Sequence, residues 1–502
     1  MKKITHLLYI PSIALLVFMS ISGVDAKSLS LIHLADNQKI IVKQKNADKH
    51  AVPIGESGFY ETTVKNLKDS SPYGNVDIYP VVDYRPTMAA NDPLEPQSYL
   101  NLLDAQTLWD NVPDTSGQTI AVIDTGFALN HQDLAGRWAT NPEENGTTTQ
   151  EGSAPNCTSR SLPLDKSCNN LDDDVNGYVD DWRGWDFSHP DNDPVAGTTN
   201  PSSIYASHAT EVSGLTGVTG NNSLGSASLN WYSKILPLQM FTDSGTATTI
   251  QLAEALSYAI SQHVDVINLS LGSANDDPTV EALVTQAKDE GIIVVAAAGN
   301  CGGSNYSYSG CNYEGQMLYP SVSHDVIAVG ATDLSDTQAS FSSRGTRLDV
   351  TAPGSGAIIS SQYLPTNGVS AYSSTLNGTS FATPIVSGLM AILKAEWPDA
   401  TFGQLRAVLI DSAYKTPGMN GDLSTTLYGF GRIQPVAALT LSNKCKTVIL
   451  TSDINCDGNV SLLDLSLLAS QWEKQYTGRT DTDLSGLVDL LDLSTLASQW
   501  GK

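Results

Sequence analysis

The chain has 502 residues, enough for several domains, so core size does not limit the fold. Charged residues make up 16% of it and the formal net charge is −26, which argues against a nucleic-acid partner, since that would require a basic stripe. Most of this charge reads as a solvated acidic surface, with some carboxylates left over for calcium. At the start, Lys2 and Lys3 precede an apolar stretch from Leu7 to Ile21, and Val24-Asp25-Ala26 follows as a small-residue cleavage site. The apolar part is short for a membrane span, so residues 1–26 are expected to be a signal peptide, which implies a secreted, extracellular protein, with the periplasm or the cell surface as alternative destinations. No later run is long enough to cross a bilayer.

Residues 27–88 read as a small separate unit. IHLADNQKIIVKQK suggests strand, turn and strand, and Pro80 and Pro86 break the segment that closes it. PQSYLNLLDAQTLWD then carries apolar residues at helical spacing. From about 117 to 440 the pattern alternates. TIAVIDTG, DVINLSLG, GIIVVAAAGN and DVIAVGATD are continuous apolar runs that suit strands buried on both faces. IQLAEALSYAISQ and PTVEALVTQAKDEG between them have helical periodicity, and Gly291 ends the second. This alternation predicts an α/β fold with a mainly parallel sheet and its chemistry at the carboxyl ends of the strands. At the far end, LLDLSLLASQW at 462–472 recurs as LLDLSTLASQW at 490–500, a tandem module separate from the sheet domain.

The six cysteines fall as neighbours: Cys157 and Cys168, Cys301 and Cys311, Cys445 and Cys456. An exported chain meets oxidising conditions, and nearest-neighbour disulfides are the expectation among several possible connectivities. None lies in a Cys-x-x-Cys pattern, so zinc is not expected.

Four residues suggest a shared chemistry. Asp124 ends a buried apolar run, where a carboxylate can fix a histidine tautomer. His208 lies among small residues in ASHATEVSG. Ser380, in NGTSFATPIVSG, stands where a helix is expected to begin, with Pro384 read as a first-turn proline. A helix N-terminus favours a developing oxyanion beside such a serine. Asn300 ends another apolar run and can donate to that oxyanion. Taken singly, each residue has an ordinary explanation as a turn, cap or packing residue.

Together they stand in the order Asp, His, Ser, which is the chain order of the subtilisin triad. VIDTG, SHATEVSG, INLSLG, AAAGN, YPS, ASFSSRG, DVTAPG and NGTSFATP occur in the sequence of motifs that the subtilase family shows, over about 320 residues. The chain therefore resembles a subtilase, a subtilisin-like serine endopeptidase. The resemblance implies a three-layer fold in which Asp124 orients, His208 acts as base and acid, Ser380 is the nucleophile, and Asn300 with the Ser380 N–H binds the oxyanion. It matches Ser270, Leu271 and Gly272 to the segment that pairs with extended peptide substrate, and Ser321 to the floor of the pocket for the side chain before the scissile bond. It makes residues 27–88 an inhibitory propeptide of α+β type, cut near 84–92, and residues 89–441 the catalytic domain. The chain departs from the family at Ala209, usually glycine, and Glu211, usually histidine, and these departures bear on rate and preference rather than on reaction class.

Calcium is the expected cofactor. DDDVNGYVDD at 172–181 has an EF-type spacing with Asp172, Asp174 and Asn176 as oxygen donors and Gly177 at the turn, although Arg183 holds the twelfth position. Asp133 and Asn222 match a common subtilase calcium site by resemblance. Beyond a linker at 442–452, residues 453–502 hold two loops in one register. The first offers Asp453, Asn455, Asp457, Ser461 and Asp464; the second offers Asp481, Asp483, Ser485, Asp489 and Asp492. They resemble a dockerin, a small helical module of paired calcium loops that binds a cohesin, which makes a cohesin-like protein an expected partner besides protein and peptide substrates. The chain is expected to be monomeric. A catalytically weak subtilase serving as a docking or surface-attached component is the alternative reading.

Overall fold

The computed structural model describes residues 91–94, 97–152, 156–158, 163–197, 205–242, 244–303, 310–364 and 371–446, with four strands inside 39–80 and residues 460, 464–465 and 490–500. The chain divides into two compact units, Met1–Thr87 and Met88–Lys502. The expected signal peptide lies outside the described residues.

In the first unit, β1 (Lys39–Lys43), β2 (Val52–Pro53), β3 (Phe59–Thr63) and β4 (Asp77–Pro80) form an antiparallel sheet in the order β2-β3-β1-β4. Pro80 ends β4, as its lack of a ladder donor requires.

The second unit begins with two short helices, α1 (Ser98–Leu102) and α2 (Ala105–Trp109), where the sequence predicts one. Asp104 breaks the run with a left-handed φ of 53°, and the break lets Tyr99, Leu100, Leu108 and Trp109 all reach the core. The central sheet has seven strands, all parallel: β5 (Thr119–Asp124), β6 (Trp185–Asp186), β7 (Lys234–Gln239), β8 (Val266–Leu269), β9 (Ile293–Ala297), β10 (Ile327–Thr332) and β11 (Val350–Pro353), in the order β11-β10-β9-β8-β5-β7-β6. Their period of two sends Ile120, Val122, Ile293 and Val295 to one core, and Ala121, Ile123, Val294 and Ala296 to the other.

Helices cover both faces. One core packs against α3 (His208–Gly217), α6 (Thr379–Glu396), α7 (Phe402–Asp411) and α8 (Pro435–Cys445). The other packs against α4 (Thr249–Ser261) and α5 (Pro278–Asp289). Local chemistry sets the helix ends: Thr248 and Gln251 form a capping box on α4, Asp277 caps α5 before Pro278, and Gly291 takes a φ of 79° just beyond α5. The result is the expected three-layer α/β architecture. Helix α8 runs through Cys445, so the second unit's helical structure extends into the segment expected as a linker.

The connections place the switch point of the sheet at β5. From β5 the chain builds β7 on one side, then crosses to β8 on the other, which opens a crevice at the carboxyl ends of the strands. Helices α3 and α6 meet backbone to backbone beneath it. A Cβ on Gly388 would stand 2.7 Å from the Thr216 carbonyl oxygen, so only glycine permits this approach.

Candidate active site

Asp124 is the last residue of β5 and is 1% exposed. Its Oδ1 accepts the Thr125 N–H at 2.6 Å and lies 2.7 Å from His208 Nδ1. A carboxylate can only accept, so Nδ1 carries the proton and Nε2 is left as the basic nitrogen. His208 opens α3, which Thr125 Oγ1 fixes by accepting the Ala209 N–H at 3.0 Å. The imidazole ring stands 5.6 Å, centre to centre, from the Phe381 ring, beside the start of α6.

Glu211, one turn into α3, is buried and accepts from Ser207 Oγ at 3.1 Å. Burial pushes its carboxyl up. Burial of the His208 ring favours the neutral form, but the Asp124 carboxylate, its hydrogen bond and the charge of Glu211 outweigh that and raise the pKa.

Ser380 is the second residue of α6, where backbone N–H groups have no carbonyl in a preceding turn. Asn300 follows β9. Its Oδ1 accepts both the Thr379 N–H at 2.9 Å and the Thr379 hydroxyl at 3.0 Å, and this pairing identifies the oxygen. The Asn300 NH2 is thereby held on the side of Gly378, where a Cβ would stand 3.7 Å from Nδ2. A side-chain amide donor thus stands beside Gly378, the cap of the helix whose second residue is Ser380.

Pro384 is the sixth residue of α6, in the second turn rather than the first. It lacks the N–H that would bond to the Ser380 carbonyl four residues back. Ser270 Oγ supplies the missing donor at 2.8 Å, while the Ser380 hydroxyl lies 3.2 Å from the Ser270 carbonyl. Leu271 and Gly272 continue from Ser270 as a partly exposed segment beyond β8. Ser321 is fully buried and its hydroxyl donates to the Leu318 carbonyl at 2.6 Å. Leu318, which the sequence motifs did not single out, is the side chain that reaches Gly272 and Gly299.

Cys157–Cys168 and Cys301–Cys311 are disulfides, as the spacing suggests, and Cys445 is disulfide-bonded. Cys456 lies outside the described residues.

Among the described residues, one group of three carboxylates brings oxygens within 4.8 Å of one another: Glu144, Asp174 and Asp181. Asn141 donates to Asp174 and Asp181, each at 2.9 Å, and so does Asn176. Glu144 is fully buried, and its Oε2 has no hydrogen-bond partner among the described residues. An orphaned buried carboxylate oxygen beside two more carboxylates fits a hard cation such as calcium. Burial, with help from the Asp181 and Asp174 charges, pushes the Glu144 carboxyl up to about 7. Of the expected loop ligands, Asp174 and Asn176 reach this group. Asp172 instead accepts the N–H groups of Asn176 and Gly177, at 3.0 and 2.8 Å, and braces the turn. Asp181 ends the DDDVNGYVDD loop, past the EF-type donors and outside their spacing, and Glu144 was not apparent because no short motif links position 144 to the loop.

Asp133 and Asn222 are also adjacent. Asp133 accepts from Asn222 Nδ2 and from the Ser226 N–H, both at 3.0 Å, and burial pushes its carboxyl up to about 6. In the C-terminal repeats, Asp464 is buried and Asp492 lies in α9 (Leu490–Gln499). Asp453, Asn455, Asp457, Ser461, Asp481, Asp483, Ser485 and Asp489 lie outside the described residues.

A parallel α/β sheet with these groups gathered at its carboxyl edge defines a serine hydrolase. Residues 115–431 match the subtilase family, peptidase S8, and the chain belongs to it: it is a subtilisin-type serine endopeptidase. It is 31% identical to thermitase of Thermoactinomyces vulgaris over 337 residues, which is 67% of this chain and 93% of that protein. It is also 31% identical to a thermophilic serine proteinase of Bacillus sp. (strain AK1) over 335 residues, 66% of this chain and 64% of the relative. A solved structure of a protease from Pseudoalteromonas arctica PAMC 21717 shares the fold, with a TM-score of 0.52 at 23% identity over 70% of this chain and 99% of the other. No helix among the described residues is long and apolar enough to cross a membrane.

Proposed function

We propose that the chain is a secreted, self-processing endopeptidase in which Asp124, His208 and Ser380 form the triad. The observation that carries this reading is the 2.7 Å contact between buried Asp124 and His208 Nδ1, with Ser380 and Asn300 at the same edge of the sheet. His208 Nε2 takes the proton of Ser380 Oγ as that oxygen attacks the substrate carbonyl. The hydroxyl must first leave the Ser270 carbonyl, which a rotation about χ1 accomplishes. Asn300 Nδ2 and the Ser380 N–H stabilise the oxyanion, and His208 returns the proton to the leaving amine. Water then hydrolyses the acyl-enzyme by the same steps. Ser270 to Gly272 pair with the extended peptide as an added strand.

Residues 1–26 export the chain and residues 27–88 act as a propeptide that the mature enzyme releases. Glu144, Asp174 and Asp181, with Asn176 alongside, hold calcium, whose charge compensates the buried carboxylates and secures the loop. Residues 453–502 form a dockerin-like calcium module that attaches the enzyme, as a monomer, to a cohesin-like partner. The decisive test is Ser380→Ala in the full chain. Casein clearance and propeptide release are both expected to disappear, while persistent clearance would refute the triad.

A further inference from the structure

The scissile carbonyl of a bound peptide must reach Asn300 Nδ2 and the Ser380 N–H, as the endopeptidase reading above requires. The side chain on the acyl side hangs from the carbon next to that carbonyl. With the peptide running along Ser270 to Gly272, this side chain is directed into the crevice between that segment and the residues just before Asn300. The walls of the crevice are Gly272 and Gly299. Both lack a side chain, which would leave a deep slot between the carboxyl ends of β8 and β9.

Leu318 fills that slot. A Cβ on Gly272 would stand 2.7 Å from Leu318 Cβ, and a Cβ on Gly299 would stand 2.6 Å from Leu318 Cγ, so the leucine is packed against both glycine walls. It is 7% exposed. Its backbone is pinned to the same two walls: the Leu318 N–H donates to the Ala298 carbonyl at 2.8 Å, and Tyr319 exchanges two backbone hydrogen bonds with Ser273. The Cys301–Cys311 disulfide shares a small apolar cluster with the leucine. Close-packed side chains yield only at the cost of cavities or strain elsewhere.

We propose that Leu318 is the specificity-determining residue of this enzyme and cuts the acyl-side pocket to a shallow depression. Peptide bonds following small residues such as alanine and serine are then the substrates, and bonds following phenylalanine or tyrosine are disfavoured. The buried Ser321, expected at the floor of this pocket, donates its hydroxyl to the Leu318 carbonyl and so helps to hold the leucine in place.

Two peptide p-nitroanilides that differ only in a terminal alanine or phenylalanine test this. The full chain is expected to favour the alanine peptide in kcat/KM by about tenfold or more, the scale of discrimination a packed apolar pocket delivers. Leu318→Gly is expected to shift the phenylalanine-to-alanine ratio toward phenylalanine by about tenfold or more, with Leu318→Ala between the two as a milder variant. A wild-type preference for phenylalanine, or a ratio that neither variant moves, would overturn the proposal. If neither peptide is cleaved, the endopeptidase reading fails. The pocket is then judged by calorimetry on Ser380→Ala, where the product peptide ending in alanine must bind more tightly than the one ending in phenylalanine, and Leu318→Gly must reverse or erase that order.

Discussion

Ser270 and Ser380 are joined by reciprocal contacts: each hydroxyl faces the other's carbonyl, at 2.8 Å from Ser270 Oγ to Ser380 O and 3.2 Å in return. The first contact has a directed origin. Ser387 Oγ donates to Asn268 Oδ1 at 2.8 Å, and Asn268 Nδ2 donates to Ser270 Oγ at 3.0 Å. The Ser270 proton is therefore committed to the Ser380 carbonyl that Pro384 leaves without a helical donor. Ser270→Ala would strand that carbonyl, at a cost of about 1–3 kcal/mol. We expect kcat to fall by about tenfold or more while KM changes less, because the loss displaces the nucleophile rather than a peptide contact. Steady-state kinetics on a peptide anilide measures this, and a rise in KM with kcat intact would contradict it.

Asn300 is anchored by its oxygen and acts through its nitrogen. Replacing it with alanine removes one oxyanion donor and leaves the Thr379 N–H and hydroxyl without their acceptor. A decrease of about 10²–10³ in kcat is expected, near 2.7–4 kcal/mol of transition-state stabilisation. Asn300→Asp separates the two roles, since it keeps the acceptor for Thr379 and abolishes the donor. It should fold with a melting temperature close to the parent and still lose most of kcat.

The contrast between these residues explains what could be read in advance. Asp124, Ser270 and Asn300 each close or follow an apolar run, and buried parallel strands put such residues at one edge of a sheet. Their neighbourhood follows from topology, so a linear pattern suffices. Glu144 joins Asp174 and Asp181 only through the folding of a long insertion, and Leu318 reaches Gly272 and Gly299 from the connection between β9 and β10. Neither has a spacing signature. The split of the first catalytic-domain helix at Asp104 was hidden for a related reason. Its apolar periodicity suits one continuous helix, and the need to bury Tyr99, Leu100, Leu108 and Trp109, which one helix would spread around most of its circumference, overrides it.

Glu211 makes a prediction about pH. It is buried near His208, and its charge adds to that of Asp124 in raising the histidine pKa against the effect of burial. His208 acts as a base only when neutral, so the rate falls as pH drops through the raised value. Glu211→Gln keeps an acceptor for Ser207 and deletes the charge. The acid limb of kcat/KM against pH is therefore expected to move to lower pH, with the plateau above it preserved in shape. A titration of activity from about pH 5 to 9 reads this directly, and an unmoved limb would show that Glu211 has no hold on the base.

The carboxylate cluster ties stability to calcium and to pH together. The Glu144 carboxyl is held up at about 7, above its ordinary value of 4.5, chiefly by burial. A folded-state pKa above the unfolded one means that the native chain holds a proton which the unfolded chain has released. Without an ion, stability from this group is therefore present below about 4.5 and lost as pH rises toward 7. A bound cation favours the ionised carboxylate and reverses that loss. At an ion concentration of about 100 times Kd, the stabilisation is about 2.7 kcal/mol. We expect chelation to lower the melting temperature of the full chain, and the gap between calcium-loaded and chelated samples to widen as pH rises from about 6 to 8. Glu144→Gln should narrow that gap whatever other sites contribute, because it deletes one ligand charge here and nothing in the C-terminal repeats. A gap that is independent of pH, or equally wide in Glu144→Gln, would mean that this cluster binds no calcium.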